Sequence, residues 1–315
     1  MIAPMAEAVY WNEPYRRELE VRVTSSGRDE RGPFVCLDRT LLYPEGGGQP
    51  ADHGRLGDIR VVDVQRRDGE LRHYLASADD LAVEEATTVT LDWRRRYDHM
   101  QQHTAQHLLT AIAADRFGWP TTSFHLGSER CDVELDVAEI SDGDRAALEE
   151  AVAAEVRAAR TVAQRWVSRE ELEALGDGVR SRGLPEELSG PIRLIEILGV
   201  DRTTCGGTHV ASTAELEAVK LLDTERLRGG TRLHWVAGAR TRGRLEQHER
   251  RAAELRRLLG ASDDDLVEVV EKKLAQLEEA RRARRASSEE LAHHRAGELT
   301  AGDESLGTAH YVGAE

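Results

Sequence analysis

The spacing of apolar positions along the chain changes character twice. Over residues 1–95 it is strand-like: 17–24 alternates, 34–42 reads as a strand, and 59–65 is rich in valine and isoleucine. Beyond Tyr97 the period becomes helical, with Leu108, Leu109 and Ile112 along one side. Residues 121–137 return to a hairpin pattern turning at Gly127-Ser128. A helix over 144–160 follows, with Ser141 or Asp142 as its cap, and then a strand over 161–167. A short helix over 170–175 stops at Gly176, and strands are expected at 192–197, 216–222 and 231–237. From Gly243 leucines recur at helical spacing among Glu and Arg. Leu245, Leu255, Leu258 and Leu259 stripe one helix ending near Gly260. Ser262 opens a second carrying Leu266, Val269, Val270, Leu274 and Leu277. This pattern predicts an α+β fold: an N-terminal β-barrel domain (1–95), a mixed α/β domain (96–242), and a helical hairpin or coiled-coil arm (243–296). The glycine-rich residues 297–315, with a strand-like 308–312, read as a tail or the start of a further domain.

The helix after Tyr97 carries the chemistry. His103 and His107 stand four residues apart, so their imidazoles share a face while the leucines anchor the helix. Far downstream, Cys205-Gly206-Gly207-Thr208-His209 repeats that spacing with a thiolate and an imidazole on a glycine-containing turn. Together the two pairs make a tetrahedral set of borderline-soft donors, which suits zinc best. A lone histidine is usually a surface or satisfied core residue, but two such pairs in a chain of only three cysteines outweigh coincidence. His99 lies about 12 Å along the axis from His107, too far to share an ion, so the helical pair is 103/107 or 99/103. Zinc proteases place a glutamate directly after the first histidine; here that residue is Thr104, and a protease loses most of its support.

Composition adds three constraints. There is no 18-residue apolar run and no signal-peptide pattern, so a cytoplasmic chain without membrane contact is expected. Cys36, Cys131 and Cys205 are too few, and odd in number, for a disulfide framework. A net charge of −15 argues against general coating of nucleic acid but leaves room for a local groove. Such a groove would be built of guanidinium groups, since all but three of the 43 basic residues are arginine. Arg94, Arg95 and Arg96, set between Trp93 and Tyr97, and Arg232 are its candidates. The run Tyr43-Pro44-Glu45-Gly46-Gly47-Gly48-Gln49-Pro50 permits positive φ and close backbone approach. It lacks the Gly-Lys-Ser/Thr of a phosphate loop.

Residues 96–109, from Arg96-Tyr97-Asp98-His99 through His103-Thr104-Ala105-Gln106-His107-Leu108-Leu109, and the stretch Asp201-Arg202-Thr203-Thr204-Cys205-Gly206-Gly207-Thr208-His209-Val210 carry a resemblance. They resemble the two metal motifs of the alanyl-tRNA synthetase editing domain and its free-standing AlaX-type relatives. Arg228-Gly229-Gly230-Thr231-Arg232 through Val236-Ala237-Gly238 resembles that family's closing strand, and Tyr43 to Asp52 its glycine-rich motif, carried on a β-barrel. The likeness covers residues 15–245 and selects 103/107 as the helical pair. It implies zinc held by His103, His107, Cys205 and His209, and hydrolysis in trans of the ester joining serine, or glycine, to alanine-specific tRNA. It further implies that Gly46, Gly47, Gly48 and Gln49 shape the substrate pocket and that Thr121, Thr122 or Ser123 reaches the serine hydroxyl. His125 stands at a wall position where related synthetases often carry glutamine. Two other functions stay open: a tRNA-binding module in which zinc only staples the fold, and the threonyl-tRNA editing type, which shares the four-ligand pattern. The helices of the arm are candidates for oligomer contacts.

Overall fold

The computed structural model describes residues 6–77, 86–180 and 190–301; the strand expected at 308–312 lies outside them. The architecture is mixed α+β. The first segment runs β1 (Glu7–Ala8), α1 (Val9–Asn12), β2 (Glu18–Asp29), β3 (Gly32–Leu37), β4 (Arg39–Thr40), β5 (Gly54–Leu56), β6 (Ile59–Arg67), β7 (Glu70–Leu75) and β8 (Ala86–Leu91). Alternation along β2 buries Leu19, Val21 and Val23 and exposes Glu18, Glu20 and Arg22. The strands pair in the order β2-β3-β7-β6-β5-β8, and β8 returns to β2, so the ring closes without an open edge. Val35, Leu37, Leu56, Val61, Val64 and Val89 pack inside it.

The connection between β4 and β5 leaves this ring and carries the glycine motif. Gly46 and Gln49 exchange backbone hydrogen bonds of 3.1 and 2.9 Å around Gly47 (φ 56°) and Gly48 (φ 80°). Two successive positive φ angles make the tight turn that glycine tolerates best.

Next come α2 (Trp93–Phe117), β9 (Thr121–His125), β10 (Cys131–Leu135), α3 (Asp142–Arg157), β11 (Val162–Val167) and α4 (Arg169–Leu175). They are followed by β12 (Ile192–Ile197), β13 (Asp201–Thr204), β14 (Val219–Leu227) and β15 (Gly230–Ala237). One sheet has the order β14-β15-β10-β9 and the other β11-β12-β13. The strand expected over 216–222 starts later. Ser212 and Glu215 form a capping box that winds Thr213–Leu216 into a 3₁₀ turn, and pairing begins at Val219.

Helix α2 is the spine of this part. The Asp92 carboxylate accepts from the Arg95 backbone N–H at its start, and Gly118 ends it in the left-handed region. Every residue from His99 to Leu109 is buried, polar side chains included, so each of those must find a partner or cost stability. Gln102 meets both the Ala237 carbonyl and the Ala237 N–H, each at 3.0 Å, and Gln101 donates to the Glu215 carbonyl at 2.7 Å. Leu108, Leu109 and Ile112 join Val133, Leu233 and Trp235 in the core.

The chain divides into two compact units, Met1–Arg244 and Leu245–Glu315, and the ring and the α2 region share the first. Helix α5 (Ala239–Leu259) begins four residues before Gly243, and α6 (Leu266–Ala301) follows it. In the second unit Leu258, Val267, Leu274 and Leu291 remain exposed. No helix among the described residues is long and apolar enough to cross a membrane.

Candidate metal centre

Two elements bring four donors together. Helix α2 supplies His103 and His107, and the loop after β13 supplies Cys205 and His209. The donor atoms of these residues all lie within 4.8 Å of one another. The Cys205 sulfur is 3.5 Å from His103 Nε2 and 3.3 Å from His209 Nε2. A tetrahedral zinc with bonds of 2.0–2.3 Å separates its ligand atoms by roughly 3.3–3.6 Å, so these two pairs already stand at metal-ligand spacing. His99 is outside the group. It is buried, its Nδ1 has no partner, and burial pushes its pKa down to about 4.

Each of the three clustered histidines is fixed by the nitrogen that faces away from the sulfur. His103 Nδ1 meets Gln49 Oε1 at 2.8 Å, His107 Nδ1 meets Asp201 Oδ2 at 3.1 Å, and His209 Nδ1 meets Thr104 Oγ1 at 3.1 Å. A carbonyl, a carboxylate or a hydroxyl on Nδ1 sets the tautomer that leaves Nε2 free to bind a metal. Asp201 is fixed in turn by Arg180 at 2.6 Å and Thr203 at 2.7 Å. Gln49 reaches from the glycine turn, accepting from the Thr208 N–H at 3.0 Å and donating to Thr208 Oγ1 at 2.9 Å. Its amide is thus spent on holding His103 and the ligand loop. Arg193 clamps that loop from below, donating to the carbonyls of Cys205 (2.9 Å) and Gly207 (2.7 Å).

The electrostatics invite a cation. Burial opposes a charged thiol at Cys205, but the His103 and His209 imidazoles outweigh it and hold the pKa well below the ordinary cysteine value. Burial pushes His209 down to about 3. Burial also works against charge on His107, yet the Asp201 carboxylate and Cys205 lift it to about 9. A thiolate among imidazoles, with an anion behind one of them, is a donor set that a divalent metal completes. The residues present fit one.

The remaining candidates fall in different places. Gly48 presses on the Phe124 ring, and that ring lies 6.2 Å from the His103 ring, so the glycine turn and β9 form one wall beside the donors. A bulge between Glu134 and Leu135 sets Thr121 opposite Leu135 and Phe124 opposite Val133, on the sheet's buried face. The Thr121 hydroxyl is buried with no partner. Thr122 is exposed and donates to the Glu134 carbonyl at 3.3 Å. His125 turns to the outer face, 3.7 Å from Asp132 with its side chain 71% exposed, away from the donors. The expected arginine groove does not form as a group. Arg94 is exposed, and Arg95 donates to the Ala51 carbonyl at 2.9 Å. Arg96 is wholly buried against Asp52 and the Leu41 and Pro14 carbonyls, because the helix turns every third or fourth residue inward. Arg232 is ringed by Asp132, Glu134 and Glu225.

The comparisons with known proteins bear on the family. The alanyl-tRNA editing protein AlaX-M of Methanosarcina barkeri is 33% identical over 230 residues, covering 69% of this chain and 93% of its own length. The chain belongs to the alanyl-tRNA editing protein family. Within it, the alanyl-tRNA editing protein Aarsd1 of Danio rerio is 41% identical over 256 residues, which is 80% of this chain and 61% of that protein. AlaX-L of Pyrococcus horikoshii is 33% identical over 223 residues, 69% of this chain and 54% of its own. The chain thus spans about three-fifths of the length of the Aarsd1 relatives. The family described as threonyl and alanyl tRNA synthetase second additional domain matches residues 192–258, which include the Cys205–His209 loop but not the α2 histidines.

Proposed function

We propose that this editing-family chain is a trans-acting deacylase that uses zinc at His103, His107, Cys205 and His209 to hydrolyse Ser-tRNA(Ala), with Gly-tRNA(Ala) as a second substrate. The observation that carries the proposal is the preassembled donor set, with its three oriented imidazoles, in a chain belonging to this family. Chemistry gives the reaction a purpose. An aminoacylation pocket cannot strongly reject a neighbour that differs by a hydroxyl, so a second site must hydrolyse the wrong product. Zinc, when bound, supplies a Lewis acid beside the ester.

The chain's own residues do the rest. Gln49, Thr104 and Asp201 keep the imidazoles aimed, so no reorganisation is needed when substrate arrives. The Gly47-Gly48 turn and Phe124 wall the space beside the donors. The partnerless Thr121 hydroxyl is suited to pair with a serine hydroxyl and is left unpaired by alanine. The acceptor end of tRNA is the partner, and Arg94 is the exposed arginine offered to its phosphates. In the arm, exposed Val270, Leu274 and Leu277 offer a self-association stripe.

The test is hydrolysis of matched Ser-tRNA(Ala) and Ala-tRNA(Ala) by the purified chain. Loss of one buried hydrogen bond corresponds to about a 10- to 100-fold preference for the serine ester. Equal clearance of both esters, or of neither, rejects the reading.

A further inference from the structure

The donor cluster is closed on most sides. His103, His107 and His209 are buried, and so are Gly207 and Thr208, whereas Cys205 is half-buried and Gly206 is exposed. Solvent therefore meets the centre at Cys205-Gly206. Trp11, from the short α1, stands at that opening and donates its indole N–H to the Gly206 carbonyl at 2.7 Å. Trp166 stands beside it, edge to face, with ring centroids 5.4 Å apart and planes at 70°.

Trp166 is placed there by register. Among the described residues strand β11 pairs with β12 and forms the edge of its sheet, with Trp166 opposite Arg193, so the two share a face. Arg193 is the residue that clamps Cys205 and Gly207. The same face carries Gln164, which accepts from Arg193 Nε at 2.8 Å. Arg193, Trp11 and Trp166 thus form a continuous path from the ligand loop to the surface, ending on an indole that is 38% exposed. That indole is open to a partner from outside the fold.

We infer that Trp166, supported by Trp11, is a stacking platform for an unpaired nucleobase at the 3′ end of the RNA. This rests on the deacylase reading, with the ester entering at Cys205-Gly206 and its terminal nucleotides just outside. Base–indole stacking is tolerant of sequence and needs no local excess of positive charge, which suits a chain of net charge −15. Trp166 is a substrate-positioning residue and takes no part in bond cleavage.

The experiment measures binding of the tetranucleotide 5′-ACCA-3′, and of the same oligonucleotide lacking its 3′-terminal base, by calorimetry with the zinc-loaded full chain. Trp166→Ala is expected to weaken ACCA binding about 5- to 150-fold. Trp166→Phe, which keeps a ring, should recover most of it. Removing the terminal base should weaken binding to the wild-type chain by a similar factor and leave binding to Trp166→Ala unchanged. Three results overturn the inference: no ACCA binding by the wild-type chain, equal binding by wild type and Trp166→Ala, or the same cost of base removal in both. Zinc content after dialysis reports whether Trp166→Ala keeps its fold. The deacylase reading fails separately: a chain that binds ACCA through Trp166 but hydrolyses no Ser-tRNA retains the platform and loses the activity.

Discussion

Replacing Gly207 with alanine is expected to empty the metal centre and to lower Ser-tRNA hydrolysis at least about 100-fold. A Cβ at this buried position would clash with Cε1 and Nδ1 of the His103 ring and lie 2.9 Å from Gln49 Oε1. Neither group has room to give. The ring is held between the metal position and its 2.8 Å bond to Gln49, and Gln49 is held by Thr208. The new methyl must therefore push His103 off its aim or push the ligand loop outward, and both spoil the spacing of the donors. Loss of an outer-sphere partner alone costs about 10- to 100-fold in metal affinity, and displacing a ligand costs more. Gly206 is the control in the same loop, since a Cβ there meets nothing within 4 Å. Metal per chain after dialysis, together with the deacylation rate, decides the matter. Gly207→Ala with full metal content and a rate within about threefold of wild type would contradict the packing argument.

The second large effect is on stability and lies at the junction of the ring and α2. Arg96 and Asp52 are both wholly buried. Arg96 Nε donates to Asp52 at 2.9 Å and Nη1 to the Pro14 carbonyl at 2.9 Å, and Asp52 also accepts the Tyr43 N–H at 2.7 Å. Arg96→Met removes the cation and leaves a buried carboxylate facing orphaned carbonyls. Breaking such a pair from one side costs about 3–5 kcal/mol. For a unit of this size that corresponds to a fall in Tm of about 6–20 °C. The double variant Arg96→Met/Asp52→Leu should lose less than the sum of its single variants, because no lone charge is left behind. Thermal unfolding of the three variants tests this, and a shift below about 2 °C for Arg96→Met would show that the pair contributes little.

The two pairs of donors were legible in the sequence because their spacing is local, while the choice of 103/107 over 99/103 came from the family resemblance. Two histidines four apart on a helix, and a cysteine and histidine four apart around glycines, announce a shared direction before any fold is known. What holds the donors was not legible. Gln49, Asp201 and Thr104 meet their histidines across 54, 94 and 105 residues of sequence, and only the tertiary structure makes those pairs. Gln49 reads in sequence as one of a glycine-rich run, whereas its buried side chain bonds His103 and Thr208 and Gly48 lies against Phe124. In sequence Thr104 shows only that no acid follows His103. The run Arg94-Arg95-Arg96 reads as one charged stretch, yet successive helical residues point about 100° apart, so one faces water and another becomes a core strut. Elements with strong local signals, such as the 121–137 hairpin and the Ser141-capped helix, formed where expected. The shift of the strand to Val219 came from a capping box that competes with pairing.

The most direct test of the account is a zinc titration of the metal-free chain, following Ser-tRNA(Ala) hydrolysis at each addition. Four oriented donors around one position predict that activity rises in proportion to zinc and stops rising at about one ion per chain. Full activity in the metal-free chain, or stoichiometric zinc uptake without any hydrolysis, would contradict it.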